Sequence, residues 1–230
     1  VGVVLPERRR DHVMTRHESQ PGSIPPEQLR MVREQLQSRG IVDEAVLAAM
    51  TTVPRERFVP AAQQACALAD HALPIELGQS ISQPFMVAYM TEALRLDAAC
   101  REIGTGSGYQ AGVLATIVAR VYTVERLAPL QQAARALLDS LGYDNIEYHC
   151  GDGSVGWPAH APYDRIVVTA AAPRVPPALT AQLGEGGLLV APVGEGDEQV
   201  LVRIRRTAAG TVQEPLLPCR FVRLIGEQGF

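Results

Sequence analysis

Ahead of a helical segment, this chain carries Glu102-Ile103-Gly104-Thr105-Gly106-Ser107-Gly108, an acidic residue followed by glycines at alternate positions. Glycine has no Cβ and tolerates positive φ, so such a loop can wrap closely around a bound molecule. The flanking segments give the motif its weight. Residues 109–119 are apolar-rich and suit a helix, and Val121-Tyr122-Thr123-Val124-Glu125 is a β-branched run ending in a carboxylate. A strand, a glycine turn, a helix and a second strand form a βαβ unit. That unit points to a parallel sheet whose ligand site lies outside the carboxyl ends of the strands.

Glu125 follows Gly108 by 17 residues, and a carboxylate ending the second strand can accept both hydroxyls of a ribose. Either a nicotinamide dinucleotide or S-adenosylmethionine satisfies that feature. Glu102 separates the two, because a carboxylate just before the loop would repel a pyrophosphate but suits a ligand bearing an ammonium and a sulfonium. The third glycine also arrives one residue earlier than in GxGxxG. The residues favour S-adenosylmethionine, with a dinucleotide-dependent oxidoreductase as the alternative.

With 230 residues, 47% of them hydrophobic, the chain suits one α/β domain with an extension. A net charge of -4 gives no reason to expect a nucleic-acid surface. No window approaches the roughly 20 apolar residues of a membrane span, so a cytoplasmic protein is expected. Cys66, Cys100, Cys150 and Cys219 lie 34 to 69 residues apart with no CxxC, which reads as buried free thiols in a reducing compartment and no metal site. Residues 1–23, with Arg8-Arg9-Arg10, read as a disordered tail whose charges are solvated.

Pro25-Pro26 opens a helical pattern that closes at Gly40, and Asp43 is placed to cap a second helix through Met50. A proline-flanked connector follows at 53–60, and a further helix spans 84–96. Strands are expected near 99–103, 120–125, 145–149, 163–169, 187–193, 198–206 and 219–225, with helices near 109–119, 128–141 and 175–183. The expected fold is α/β, a doubly wound, mostly parallel Rossmann-like sheet with an N-terminal helical cap and an antiparallel C-terminal edge. Residues 24–230 form one domain in this reading, 24–97 as cap and substrate loop and 98–230 as the cofactor-binding sheet.

Two more segments belong with the glycine loop. Gly151-Asp152-Gly153 follows the third strand of this sheet, where Asp152 can reach an adenine amino group, although Asp-Gly turns are also common structural features. Thr169-Ala170-Ala171-Ala172-Pro173 ends the fourth with small side chains that leave room for a substrate.

From Gln28 to Ile225 the chain resembles the protein-L-isoaspartate (D-aspartate) O-methyltransferase family. The resemblance rests on Val53-Pro54-Arg55-Glu56-Arg57-Phe58-Val59, on Gly78-Gln79-Ser80-Ile81-Ser82-Gln83-Pro84, on the glycine loop with Tyr109-Gln110, and on Val124-Glu125-Arg126. It continues through Gly151-Asp152-Gly153, Gly156-Trp157, Val168-Thr169-Ala170-Ala171 and Pro192-Val193-Gly194. Many methyltransferases share the glycine loop; the Gly-Gln-Ser-Ile-Ser-Gln-Pro loop is far more specific. The resemblance implies methyl transfer from S-adenosylmethionine to the α-carboxylate of L-isoaspartyl residues in damaged proteins and peptides, by a monomer. It assigns Ser82 as the active-site hydroxyl, with Ser80, Ile81 and Gln83 along the peptide. Glu102, Gly104, Thr105, Gly106, Ser107 and Gly108 belong to the cofactor loop, Glu125 to the ribose, and Asp152 with Gly153 to the adenine.

The chemistry agrees. A carboxylate is already ionised at neutral pH, so the nucleophile needs no general base, which fits a chain without an evident catalytic His, Cys or metal cluster. Ser82 would orient the substrate carboxylate, unless it merely caps the following helix. His71, His149 and His160 read as surface or structural residues, and Trp157 as packing under the adenine-side loop. Three positions depart from the family pattern: Arg101 stands where an apolar residue is usual, Arg223 replaces a proline, and Ser80 replaces a threonine. Two rivals remain, a methyltransferase dedicated to aspartate in a biosynthetic peptide and an inactive S-adenosylmethionine-binding interaction protein.

Overall fold

The computed structural model describes residues 24–96, 100–196 and 198–230, with Cys100 and Arg101 described by backbone only. The tail at 1–23, with its arginines, and the Arg101 side chain therefore lie outside the described residues.

The cap begins with α1 (Pro26–Met31), proline in its first turn, and runs on through a π-helical turn at Val32–Leu36 and a 3₁₀ turn at Gln37–Arg39. Gly40 ends the run at φ +93°, as its glycine suggests. Met31, Val32 and Leu36 are buried, and the buried Gln28 amide donates to the carbonyls of Met50 and Val53 at 3.0 and 2.8 Å. It thereby satisfies the end of α2 (Glu44–Thr52), where helical carbonyls lack partners. At the other end of α2, Asp43 Oδ1 accepts from the amides of Ala45 and Val46, the cap expected from the sequence. A short hairpin, β1 (Leu73–Pro74) with β2 (Ser80–Ile81), presents the Gln79–Gln83 loop, and α3 (Pro84–Ala93) leads into the sheet.

The main sheet contains β3 (Cys100–Ile103), β4 (Val121–Glu125), β5 (Ile146–Cys150), β6 (Tyr163–Val168), β7 (Leu183–Val193), β8 (Gln199–Thr207) and β9 (Gly210–Cys219), in the order β5-β4-β3-β6-β7-β8-β9. The first five are parallel, and β8 runs antiparallel to both of its neighbours. The helices between them are α4 (Tyr109–Ile117), α5 (Ala128–Ser140) and α6 (Pro177–Ala181). Chain direction across the sheet reverses between β3 and β6, and ligands of open α/β sheets bind at such a switch point.

Two expectations are corrected here. The last strand is not at 219–225 but at Gly210–Cys219, paired with β8 through a tight turn closed by Thr207 and Gly210. Its prolines, Pro215 and Pro218, are tolerated because β9 is an edge strand. Residues 221–225 instead cross the ends of the parallel strands, tied to Ala171. The 175–183 helix shrinks to five residues because β7 already begins at Leu183.

Alternation along the central strands feeds two cores. Val121, Val167, Val190 and Leu201 join the cap helices, α3 and α4 on one face. Ile103, Val124, Ile166, Val168, Leu189 and Ile204 face the other, with Leu179 and Tyr163.

Candidate active site

A cleft opens at the switch point, with Ile103, Gly104, Gly106, Val124, Glu125 and Gly153 on one side and Gln79 and Ser80 from the hairpin on the other. Gly104 has φ +98°, and a Cβ there would lie 2.5 Å from Thr169 Oγ1, so backbone and packing both require glycine. That Thr169 hydroxyl donates to the Gly104 carbonyl at 2.7 Å and fixes the loop to β6. Gly108, at φ +88°, starts α4. Glu125 ends β4 inside the cleft, where Oε2 accepts from the Gly106 amide at 3.0 Å and Oε1 from Leu127 at 2.9 Å. Each oxygen keeps a lone pair for another donor.

Glu102 lies behind this wall, fully buried. Its Oε2 accepts from the Thr123 hydroxyl at 2.6 Å, and Thr123 in turn meets the Thr105 hydroxyl of the glycine loop at 2.7 Å. Oε1 has no partner among the described residues. Burial pushes the carboxyl up to about 8; the Thr123 bond opposes this shift and the charge of Glu125 adds to it. Glu102 therefore reaches the loop through two threonines rather than by standing in the cleft.

The opposite wall is extended at Gln79–Gln83. Side chains alternate along such a segment, so Ser80 and Ser82 share one face while Ile81, 3% exposed, turns into the core. Ile81 can thus offer a ligand only its backbone. The position that caps α3 is Gln83, which forms no side-chain cap, so the Ser82 hydroxyl is not spent on the helix. The Gln83 amide is bonded to the Asp70 carbonyl and carboxylate at 3.0 and 2.8 Å. Arg55, 0% exposed, holds the loop from beneath: it donates to the carbonyls of Ala67 and Ser82, both at 2.7 Å, with its guanidinium 4.8 Å from the Tyr109 ring centroid. Burial depresses its pKa, opposed by Tyr109. In the sequence this arginine was only part of a motif, and nothing there distinguished it from a solvated charge.

The floor comes from the C-terminal crossing. Ala171 donates to the Val222 carbonyl and accepts from the Leu224 amide, both at 2.7 Å, and Val222–Ile225 line the cleft. Gly153 shares that wall, with no room for a Cβ against Ile103. Asp152 beside it is engaged elsewhere: Oδ1 accepts from the Ser154 amide and hydroxyl, and Oδ2 from the Glu227 amide. Desolvation raises its pKa, but the bonds from Glu227 and Ser154, with the nearby charge of Arg126, outweigh it and leave the carboxyl below its ordinary value.

The family described as protein-L-isoaspartate(D-aspartate) O-methyltransferase matches residues 27–229. The chain belongs to this family. It is similar to protein-L-isoaspartate O-methyltransferase 2 of Pelobacter propionicus, 56% identical over 204 residues that cover 87% of this chain and 91% of the relative. The Geobacter metallireducens protein-L-isoaspartate O-methyltransferase is 51% identical over 204 residues, covering 87% and 94%. A solved protein-L-isoaspartate O-methyltransferase superposes with a TM-score of 0.80 at 28% identity, over 88% of this chain and 67% of that one. A Plasmodium falciparum structure, described as a putative member of the family in complex with S-adenosyl-L-homocysteine, superposes at 0.74 and 24% identity, over 86% and 98%. The fold is that of a Rossmann-like methyltransferase.

Family membership makes S-adenosylmethionine the cofactor, and the site fits it. The Gly104 cradle is free of Cβ atoms, Glu125 retains acceptor capacity, and Ile103, Val124 and Leu224 give apolar walls. The remaining candidates are structural. Trp157 stacks on His149 at 4.8 Å and meets Tyr122 and His160 edge-on, which also accounts for both histidines. His71 is exposed. The Cys100 side chain lies outside the described residues; of the three cysteines described, none is fully buried as expected, with Cys66 and Cys150 exposed and Cys219 partly covered, because β5 is an edge strand and Cys66 ends a surface turn. Among the described residues no cluster could hold a metal ion, and no helix is long and apolar enough to cross a membrane.

Proposed function

We propose that this chain repairs proteins and peptides by methylating the α-carboxylate of L-isoaspartyl residues. The observation that carries this reading is the placement of Gln79 and Ser80 across one cleft from the Gly104 cradle, on a loop that runs on to Ser82, whose carbonyl Arg55 holds. S-adenosylmethionine supplies a methyl group on a sulfonium, an electrophile for an anionic oxygen. The chain's part is positioning. Gly104, Gly106 and Gly108 bring the backbone close to the cofactor, steadied by the Glu102–Thr123–Thr105 relay. Glu125 takes the ribose hydroxyls. Gly153 faces the adenine, with Asp152 holding its turn rather than contacting the ring. Ser82 donates a hydrogen bond to one oxygen of the substrate carboxylate and leaves the other to attack, with Ser80 and the Ile81 backbone alongside. Pre-ionised reactants need no base, and in-line placement can lower the barrier by up to about 7–11 kcal/mol. The ester formed is then open to attack by the next backbone nitrogen, which expels methanol and closes a succinimide that hydrolyses partly to normal aspartate.

We read the protein further as a cytoplasmic monomer with 24–97 as cap and 98–230 as cofactor sheet. The test is label transfer from S-adenosylmethionine to two peptides differing only in L-isoaspartate or L-aspartate. Base-labile label on the isoaspartyl peptide alone is expected. Label on neither, with S-adenosylhomocysteine still bound, would leave a dedicated-substrate enzyme or an inactive binder.

A further inference from the structure

Arg223 lies on the C-terminal crossing and lines the cleft. Its backbone is fixed by the two Ala171 hydrogen bonds, which run to its neighbours Val222 and Leu224. In a bridge of that kind the central residue's own amide points away from the partner strand, so the Arg223 N–H takes no part in the bridge. The side chain is exposed, yet its guanidinium rests 5.0 Å from the ring centroid of Phe230. That contact gives a mobile side chain a preferred place without using its hydrogen-bond donors. No carboxylate pairs with it among the described residues. The other cation on the cleft wall, Arg126, differs because it acts on the Asp152 carboxylate. The segment that floors the cleft therefore presents an exposed positive charge that no carboxylate pairs with among the described residues.

From this we infer that Arg223 is a specificity-determining residue that favours isoaspartyl substrates carrying an acidic side chain within two residues of the damaged site. The inference rests on the methyltransferase reading above. A charge at an exposed rim acts through encounter and weak pairing rather than through the chemical step, so it should appear in KM and in salt dependence, with kcat little changed.

The experiment uses two L-isoaspartyl peptides, identical except for glutamate or glutamine on both sides of the damaged residue. The expected result is kcat/KM about three- to fivefold higher for the acidic peptide at low salt, the range of one exposed ion pair. The preference should shrink at about 0.5 M salt, where the Debye length is shorter than at physiological salt. Arg223→Gln should bring the ratio to about one, and Arg223→Lys should keep most of it. Equal kcat/KM for the two peptides, or a preference that survives Arg223→Gln, overturns the inference while leaving the methyltransferase reading intact. Methylation of neither peptide overturns that reading, and this inference with it.

Discussion

The two walls of the cleft are made from different material. Apart from Gly153, the cofactor wall is contiguous in sequence, from Glu102 through Glu125. It consists of strand ends and a glycine loop held by buried hydroxyls and by the carboxylates of Glu102 and Glu125. The substrate side is assembled from segments far apart in the chain: the Gln79–Gln83 loop, held by side-chain bonds from Arg55 and Gln83, and the Val222–Ile225 crossing, held by backbone bonds to Ala171. At the cofactor wall shape is decisive, because Gly104 and Gly153 leave no room for a Cβ. Substrate handling depends on individual groups that can be exchanged one at a time.

The sharpest way to break that contrast is Gly104→Ala. A positive φ together with a 2.5 Å approach to Thr169 Oγ1 should abolish detectable S-adenosylhomocysteine binding by calorimetry; retained affinity would show that the loop tolerates a side chain. Next is Glu102→Gln. The folded-state pKa is raised from 4.5 to about 8, so the folded chain holds a proton that the unfolded chain has released. Stability from this group is complete below about pH 4.5, falls as pH rises toward 8, and is flat above. The wild type should lose up to about 1.4 kcal/mol per pH unit across that window relative to Glu102→Gln. Parallel melting-temperature profiles for the two proteins would remove the buried neutral carboxyl from the account. Third, Arg55→Met strips the buried Ala67 carbonyl and the half-buried Ser82 carbonyl of their donor and should cost about 3 kcal/mol in urea unfolding. A loss below about 0.5 kcal/mol would mean the loop is held by something else.

The same contrast decides what could be read in advance. β3, α4 and β4 were legible because glycine spacing and β-branched runs are local signals, and the Asp43 cap was legible for the same reason. The substrate side was recognisable only by resemblance. Arg55 sits in a proline-flanked connector where a charge reads as solvated, and only the convergence of Ala67, Ser82 and Tyr109 around it makes it internal. The position of the last strand was missed because the turn closed by Thr207 and Gly210 contains Ala208 and Ala209 rather than proline, asparagine or aspartate, and because Pro215 and Pro218 look unlike a strand until it is seen at an edge. Glu102 stood out by composition, but a sequence does not show that a carboxylate lies behind a loop rather than in front of it.

The most direct test of the division of labour is Ser82→Ala measured two ways on one preparation, S-adenosylhomocysteine affinity by calorimetry and turnover of an L-isoaspartyl peptide. The expected result is an unchanged Kd with kcat/KM lowered about tenfold, the worth of one hydrogen bond to a charged group. A Kd weakened as much as kcat/KM, or turnover equal to wild type, would contradict it.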